Sequence, residues 1–179
     1  METVSSAFMS ELRKSAKHES TRNMKAIYPG SFDPFTNGHV DILERSLKLF
    51  SEVTVLIAGN TRKNTFLTLE ERVDLVKEIV KNNPRVKVDS TTGLIMEYAR
   101  THQINAVIRG LRTPSDFEYE YMMATMNKNI HPNCETVFMM TSQGLYFVSS
   151  SMIKELFLYG GDVSHYVPKP VLELLRRKQ

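Results

Sequence analysis

The stretch YPGSFDPFTNGHVD, Tyr28 to Asp41, follows the short apolar run KAI and carries two glycines, two prolines, an asparagine and a histidine. KAIY (25–28) behind it reads as a strand, and Val40, Leu43, Leu47 and Phe50 ahead of it recur at helical spacing. The segment is therefore a strand, a long turn and a helix. A turn built only to reverse the chain needs fewer residues and no histidine at the mouth of the next helix.

The same alternation continues along the chain. VTVLIAG (53–59) is an apolar run of the kind found in strands covered on both faces. TLEE (68–71) has the form of a capping box, and Leu69, Val73, Val76 and Val80 line one side of the helix it opens. RVKVD (85–89) reads as a strand, LIMEYARTHQ (94–103) as a helix and NAVIRG (105–110) as a strand. SDFE (115–118) offers a second capping box for a long helix reaching about Asn129, and ETVFMMT (135–141) is the fifth strand. SSSMIKELFLYGG (149–161) begins with N-cap residues and stops at a glycine pair, and a last helix follows Pro168 with Leu172 and Leu175 inward. Five strands alternating with helices, without an internal repeat, predict a Rossmann-like α/β fold: a doubly wound, five-stranded parallel sheet with helices on both faces. Ligands of such sheets bind beyond the carboxyl ends of the strands, where the strand order reverses. The order itself is not readable from one sequence.

Composition narrows the function classes. The chain has 179 residues, 41% of them hydrophobic and 24% charged, which suits one domain with a real core. A net charge of +3 is too small for a nucleic-acid coat and sufficient for a locally basic pocket. Cys134 is the single cysteine, so no intrachain disulfide forms and a reducing cytoplasm is expected. No apolar run approaches the roughly 20 residues that cross a bilayer. Residues 1–23, rich in Ser, Thr and charge, are expected to be a flexible or partly helical extension ahead of a domain over 24–179, with Met24 an equally good start. That extension lacks the apolar core of a signal peptide, and Glu2, Glu11 and Glu19 argue against a transit peptide.

Neither common phosphate loop, G-x-x-x-x-G-K-[ST] or G-x-G-x-x-G, occurs in the opening turn. Gly38 and His39 instead open a helix, whose free amides and positive dipole end attract an anion. His39 in that position can add a hydrogen bond or, when protonated, a charge. Taken alone it is equally a helix cap, and Tyr28, Phe32 and Phe35 are core and loop packing. Lys63, Arg109 and Arg112 taken alone are surface cations, and Asp116, Glu118 and Glu120 an acidic helix face. Cys134 reads as a buried filler, His102, His131 and His165 lack metal-ligand spacing, and Met122, Met123 and Met126 read as core or subunit contact.

Taken together, YPGSFDPFTNGH, TLEER, IRGLR, DFEYE and SSSMIKE…GGDVSHYVP resemble, in order, the phosphopantetheine adenylyltransferase family of the nucleotidylyltransferase superfamily. The superfamily's T/H-x-G-H motif reads Thr36-Asn37-Gly38-His39, and its Ser-rich turn with a following basic residue reads Ser149 to Lys154. The matches span nearly all of the chain from Lys25 onward. The resemblance implies transfer of an adenylyl group from ATP, accompanied by Mg²⁺, to 4′-phosphopantetheine, giving dephospho-coenzyme A and pyrophosphate by direct in-line displacement. It implies catalytic roles for His39, Lys63 and Arg112. It assigns ATP to Ser31, Phe32, His39, Gly110, Leu111, Arg112, Glu120 and the run Leu145, Tyr146, Phe147, Val148, Ser149, Ser150 and Ser151. It assigns 4′-phosphopantetheine to Ser31, Lys63, Ile95 and Arg109, and implies no protein metal ligands, a homohexamer and coenzyme A as a feedback ligand. Ser31 stands where the family often has threonine, Val148 where isoleucine is common, and Leu145 and Tyr146 depart further from the pattern. Partners of other kinds, nucleic acid or membrane, are not implied. The competing expectations are a superfamily member with another acceptor or nucleotide, and a protein that binds a nucleotide or coenzyme A without turnover.

Overall fold

The computed structural model describes residues 24–59 and 65–178. Lys63, its neighbour Arg62 and the extension expected over residues 1–23 lie outside the described residues.

The elements follow in the expected alternation: β1 (Lys25–Gly30), α1 (Asn37–Ser46), β2 (Glu52–Ala58), α2 (Leu69–Val80), β3 (Val86–Thr91), α3 (Ile95–Thr101), β4 (Ala106–Leu111), α4 (Pro114–Ile130), β5 (Glu135–Met140), α5 (Ser150–Leu158) and α6 (Lys169–Arg177). The five strands form one sheet in the order β3-β2-β1-β4-β5, and every neighbouring pair is parallel. Winding thus proceeds outward from β1 to β3, returns to the centre and proceeds from β4 to β5. The order reverses between β1 and β4.

Each face of the sheet has its own apolar layer. Ala26, Tyr28, Val53, Val55 and Ile57 project to the layer shared with α1, α2, α5 and α6, where Ile42, Val76, Ile153 and Leu175 are buried. Ile27, Leu56 and Val107 project to the other side, against Met96 and Ala99 of α3 and against Cys134. Cys134 is the buried filler expected of it, and burial raises its thiol pKa. The run from Val53 to Ile57 is buried at every position, which is why it reads as continuous apolar sequence rather than alternation.

Helix starts follow side-chain chemistry. Thr68 and Glu71 form the expected reciprocal box, Glu71 N donating to Thr68 Oγ1 at 3.1 Å and Thr68 N to Glu71 Oε2 at 2.8 Å. The expected box at SDFE is corrected: α4 starts at Pro114, with Thr113 as the N-cap accepting from Asp116 N at 3.2 Å. Pro114 fits the first helical position because its missing N–H would have no partner there, so Ser115 falls inside the helix. Helix α4 also buries none of its residues in the single chain. At the end of α5 the chain turns at Gly160, whose φ of +77° suits glycine. Among the described residues no helix is long and apolar enough to cross a membrane.

Candidate active site

Strand β1 pairs β2 along its whole length, from Lys25↔Glu52 to Gly30↔Ile57. It pairs β4 only at Ala26↔Ala106 and Ile27↔Val107. Beyond those residues the two central strands part, and a cavity of about 430 Å³ opens between their carboxyl ends. Arg109 reaches across the gap, its Nη1 donating to the Pro29 carbonyl at 3.0 Å. Pro29 lacks an N–H, and it stands where the ladder to β4 has already ended, so no hydrogen bond is lost.

The first turn of α1 forms one wall. Asn37 N donates to the Tyr166 carbonyl at 2.8 Å, and His39 N turns back to the Thr36 carbonyl at 2.9 Å. Gly38 lines the cavity and has a backbone N–H without a protein acceptor among the described residues. His39 sits in a cage of aromatic rings, with Phe32 and Phe35 centroids at 5.1 and 5.2 Å. Phe32 reaches that position with a φ of +48°, a strained backbone for a bulky residue and one stored at the site.

The protonation of His39 is defined by its neighbours. Thr36 N donates to Nδ1 at 2.9 Å, so Nδ1 is an acceptor and the ring proton lies on Nε2. Burial, with the Arg112 charge acting in the same direction, lowers the pKa from 6.5 to about 4. His39 is therefore a neutral, single-donor ring, not the full charge that its position also allowed. Tyr28, on the same lining, stays a protonated phenol because burial raises its pKa, with Arg109 and Arg112 opposing and Asp41 reinforcing.

Helix α5 brings a second N-terminus to the cavity. Ser149 caps it, accepting from Met152 N at 3.1 Å, and Ser150 Oγ donates to the Pro34 carbonyl at 2.8 Å. Ser149, Ser150 and Ser151 all line the cavity, together with Val148 and Thr141. The opposite rim is Arg109, Gly110 and Arg112 from the end of β4, with Glu120 from α4. Arg109 is already engaged: Nε donates to Glu120 Oε2 at 2.6 Å and Nη2 donates to Oε1. The lining thus carries two arginines against one carboxylate, and two helix N-termini supply the rest of the positive potential.

The opening turn is held from behind by Asp33 and Arg72, which the sequence alone does not single out, and by Lys154, the basic residue of the Ser-rich element. Asp33 is 3% exposed and accepts from Phe66 N at 3.0 Å, Leu67 N at 2.8 Å and Lys154 Nζ at 2.8 Å. Burial works to raise the Asp33 pKa, but the Lys154 hydrogen bond, the two amides and the Lys154 charge together lower it. Arg72, from TLEER, is 3% exposed and donates from Nη1 to the carbonyls of Ser31 at 2.7 Å and Ala58 at 3.2 Å. Its signal was weak because an arginine within a charged helix turn reads as a surface residue. Among the described site candidates, Ser31, Phe32, His39, Arg109, Gly110, Arg112, Glu120, Val148 and the three serines converge on one cavity. Leu111 is buried and does not line it. Ile95 opens α3 and packs on the other face of the sheet. Leu145 packs on the core, Tyr146 is exposed, and Phe147 meets Tyr166 edge to face at 5.5 Å, all outside the lining.

Comparison with known proteins matches this architecture to a family. Residues 27–156 match the cytidylyltransferase-like family profile. The phosphopantetheine adenylyltransferase of Anaeromyxobacter dehalogenans (strain 2CP-C) is 51% identical over 156 residues, covering 87% of this chain and 95% of that protein. The chain belongs to the cytidylyltransferase-like family, and within it to the phosphopantetheine adenylyltransferases. Family members of the same name from Dictyoglomus turgidum (strain DSM 6724 / Z-1310) and Coxiella burnetii (strain Dugway 5J108-111) are 46% and 47% identical, covering 87% and 86% of this chain and 97% and 96% of theirs. A solved structure from Vibrio parahaemolyticus, assigned as a nicotinate-nucleotide adenylyltransferase, superimposes with a TM-score of 0.63 at 20% identity, over 86% of this chain and 98% of that one. At that identity the likeness establishes the fold alone. The family's T/H-x-G-H motif is the segment that presents Thr36, Gly38 and His39 to the cavity.

Proposed function

We propose that the protein transfers the adenylyl group of ATP to 4′-phosphopantetheine, forming dephospho-coenzyme A and releasing pyrophosphate. The observation that carries this reading is the state of His39, a neutral ring with its proton on Nε2, beside a free helix amide and Arg112 on the wall of one cavity. A phosphate oxygen of the acceptor attacks the α-phosphorus of ATP, the bond from that phosphorus to the β-phosphate bridging oxygen breaks, and pyrophosphate leaves in line. The nucleophile is already an anion, so no general base is needed. A ring carrying its proton on Nε2 cannot accept one at that atom, which suits a donor.

The barrier is the meeting of two anions and the charge that builds on the α-phosphate. Positioning and preorganised dipoles supply most of the acceleration in such transfers. In this reading His39 Nε2–H and the Gly38 amide stabilise the pentacoordinate phosphorus, while Arg112, Gly110 and the Ser149–Ser151 turn hold the triphosphate. Leu111 takes part through its backbone, and Leu145, Tyr146 and Phe147 close on the base. Ser31, Lys63, Arg109 and Ile95 belong to the acceptor.

Mg²⁺ bound with the nucleotide would offset the charge of the triphosphate. Among the described residues no group of three or more His, Cys, Asp or Glu converges, and the lining's one carboxylate is committed to Arg109. The chemistry of this donor set suits a metal held by phosphate oxygens and water.

We assign the protein to the cytoplasm and to a homohexamer, with coenzyme A as a feedback ligand. Phe117, Tyr119, Tyr121, Met122 and Met126 of α4 are exposed in the single chain, as a subunit-contact face requires. Residues 1–23 are proposed to be a dispensable extension; deleting them leaves melting temperature and turnover unchanged.

The decisive assay mixes ATP, Mg²⁺ and a panel of phosphorylated acceptors and follows pyrophosphate. Release with 4′-phosphopantetheine alone supports the reading. Release with nicotinate mononucleotide instead, or binding without turnover, replaces it.

A further inference from the structure

Helix α4 sends two carboxylates, one helical turn apart, to the end of β4. Glu120 forks Arg109, and Asp116 forks Arg112: its Oδ2 accepts from Arg112 Nε at 3.0 Å and its Oδ1 from Nη2 at 3.2 Å. The same Oδ2 accepts from Arg112 N at 3.2 Å, so backbone and side chain of the arginine are held by one group. Asp116 is itself fixed, its N–H donating to Thr113 Oγ1 at 3.2 Å. Glu118, between the two carboxylates in sequence, is exposed and outside both pairs. Arg112 lines the cavity and Asp116 does not.

We propose that Asp116 is a positioning residue that holds the Arg112 guanidinium in one orientation, so that its uncommitted Nη donors meet the phosphates of the bound nucleotide. This rests on the nucleotide reading of the cavity. Asp116 exerts two effects of opposite sign. Its negative charge opposes anion binding, but the pair is about a quarter to a third exposed, where charge interactions are weak. Its fork removes the rotational freedom of a long side chain whose value lies in planar, multi-donor contact. Orientation therefore outweighs charge.

The test is a double-mutant cycle in the full chain, with ATP binding by calorimetry, pyrophosphate release and melting temperature measured for each variant. Asp116→Asn lowers kcat/KM for ATP and ATP affinity about tenfold in the wild-type background, and by less than about twofold once Arg112→Gln is present. Asp116→Glu keeps the charge, lengthens the arm and shows a smaller loss with the same dependence on Arg112. Equal fractional losses in both backgrounds, with a falling melting temperature, would make Asp116 only a helix-start residue and overturn the proposal. So would unchanged or tighter ATP binding in Asp116→Asn, or wild-type behaviour in Asp116→Glu, either of which marks a simple counter-charge. If the wild type binds ATP yet turns over no pantetheine phosphate, the acceptor reading fails and the cycle is read on affinity. If it binds no ATP, both fall.

Discussion

The backbone N–H of Thr36 donates to Nδ1 of His39 at 2.9 Å, and this contact determines what the histidine can do. It closes the first turn of α1 and leaves the Nε2 proton for the cavity. The ring thus closes the helix start and still keeps one donor free, and that donor is the one to which the proposed function gives the phosphate.

Nitrogen-15 NMR of the unliganded protein should report the Nε2–H tautomer for His39, with no titration from pH 8 down to about 5. The folded pKa of about 4 lies below the ordinary 6.5, so between those values the unfolded chain binds more protons than the folded one. Stability from this residue is complete above 6.5 and is lost as pH falls towards about 4. Relative to His39→Ala, the wild type loses stability across that window in urea titrations. A His39 midpoint at its ordinary value contradicts the account.

Gly38→Ala separates ligand space from packing space. A Cβ there would stand 3.5 Å from Thr36 Oγ1 and 3.7 Å from the Val148 carbonyl, ordinary contacts that the protein itself tolerates. Alanine in a helix is favoured over glycine by up to about 1 kcal/mol. The variant melts at or above the wild-type temperature, while its methyl occupies the cavity wall beside the free amide and ATP affinity falls at least about tenfold. Calorimetry with ATP and a thermal melt decide this; unaltered affinity would move the phosphate elsewhere.

Asp33 ties together the opening turn, the segment at Phe66–Leu67 and helix α5. Asp33→Ala leaves Lys154 without its partner and two amides without an acceptor, and is expected to cost about 3–5 kcal/mol of stability. The Asp33 pKa is depressed below 3.8, so its contribution is present above that value and lost as pH falls below it. Chemical denaturation of wild type and variant against pH checks both statements.

The fold was legible where a local rule governs it. Val53 to Ile57 reads as a buried strand because both faces are covered, and Thr68 with Glu71 reads as a box because the partners lie three residues apart. SDFE misled because Pro114 took the first helical position and Thr113 the cap, each two residues ahead of the expected box. The strand order, the parting of β1 from β4 and the cavity depend on contacts between residues about 80 apart, such as Arg109 with Pro29, to which local pattern is blind. The same holds for Asp33 with Lys154 and Arg72 with Ser31, whose charged side chains look exposed until their distant partners are known. The motif resemblance recovered most of the lining, since motif residues are those that converge. It carried Ile95, Leu111 and Leu145 to Phe147 as well, which stand outside the lining.

The central claim is that a neutral imidazole donor stabilises the transferring phosphorus. Its most direct test is pyrophosphate release by His39→Ala at saturating ATP and 4′-phosphopantetheine, alongside ATP affinity and melting temperature. The account predicts a fall in kcat of about 10²–10³ with ATP affinity and folding largely retained. Release at the wild-type rate would contradict it.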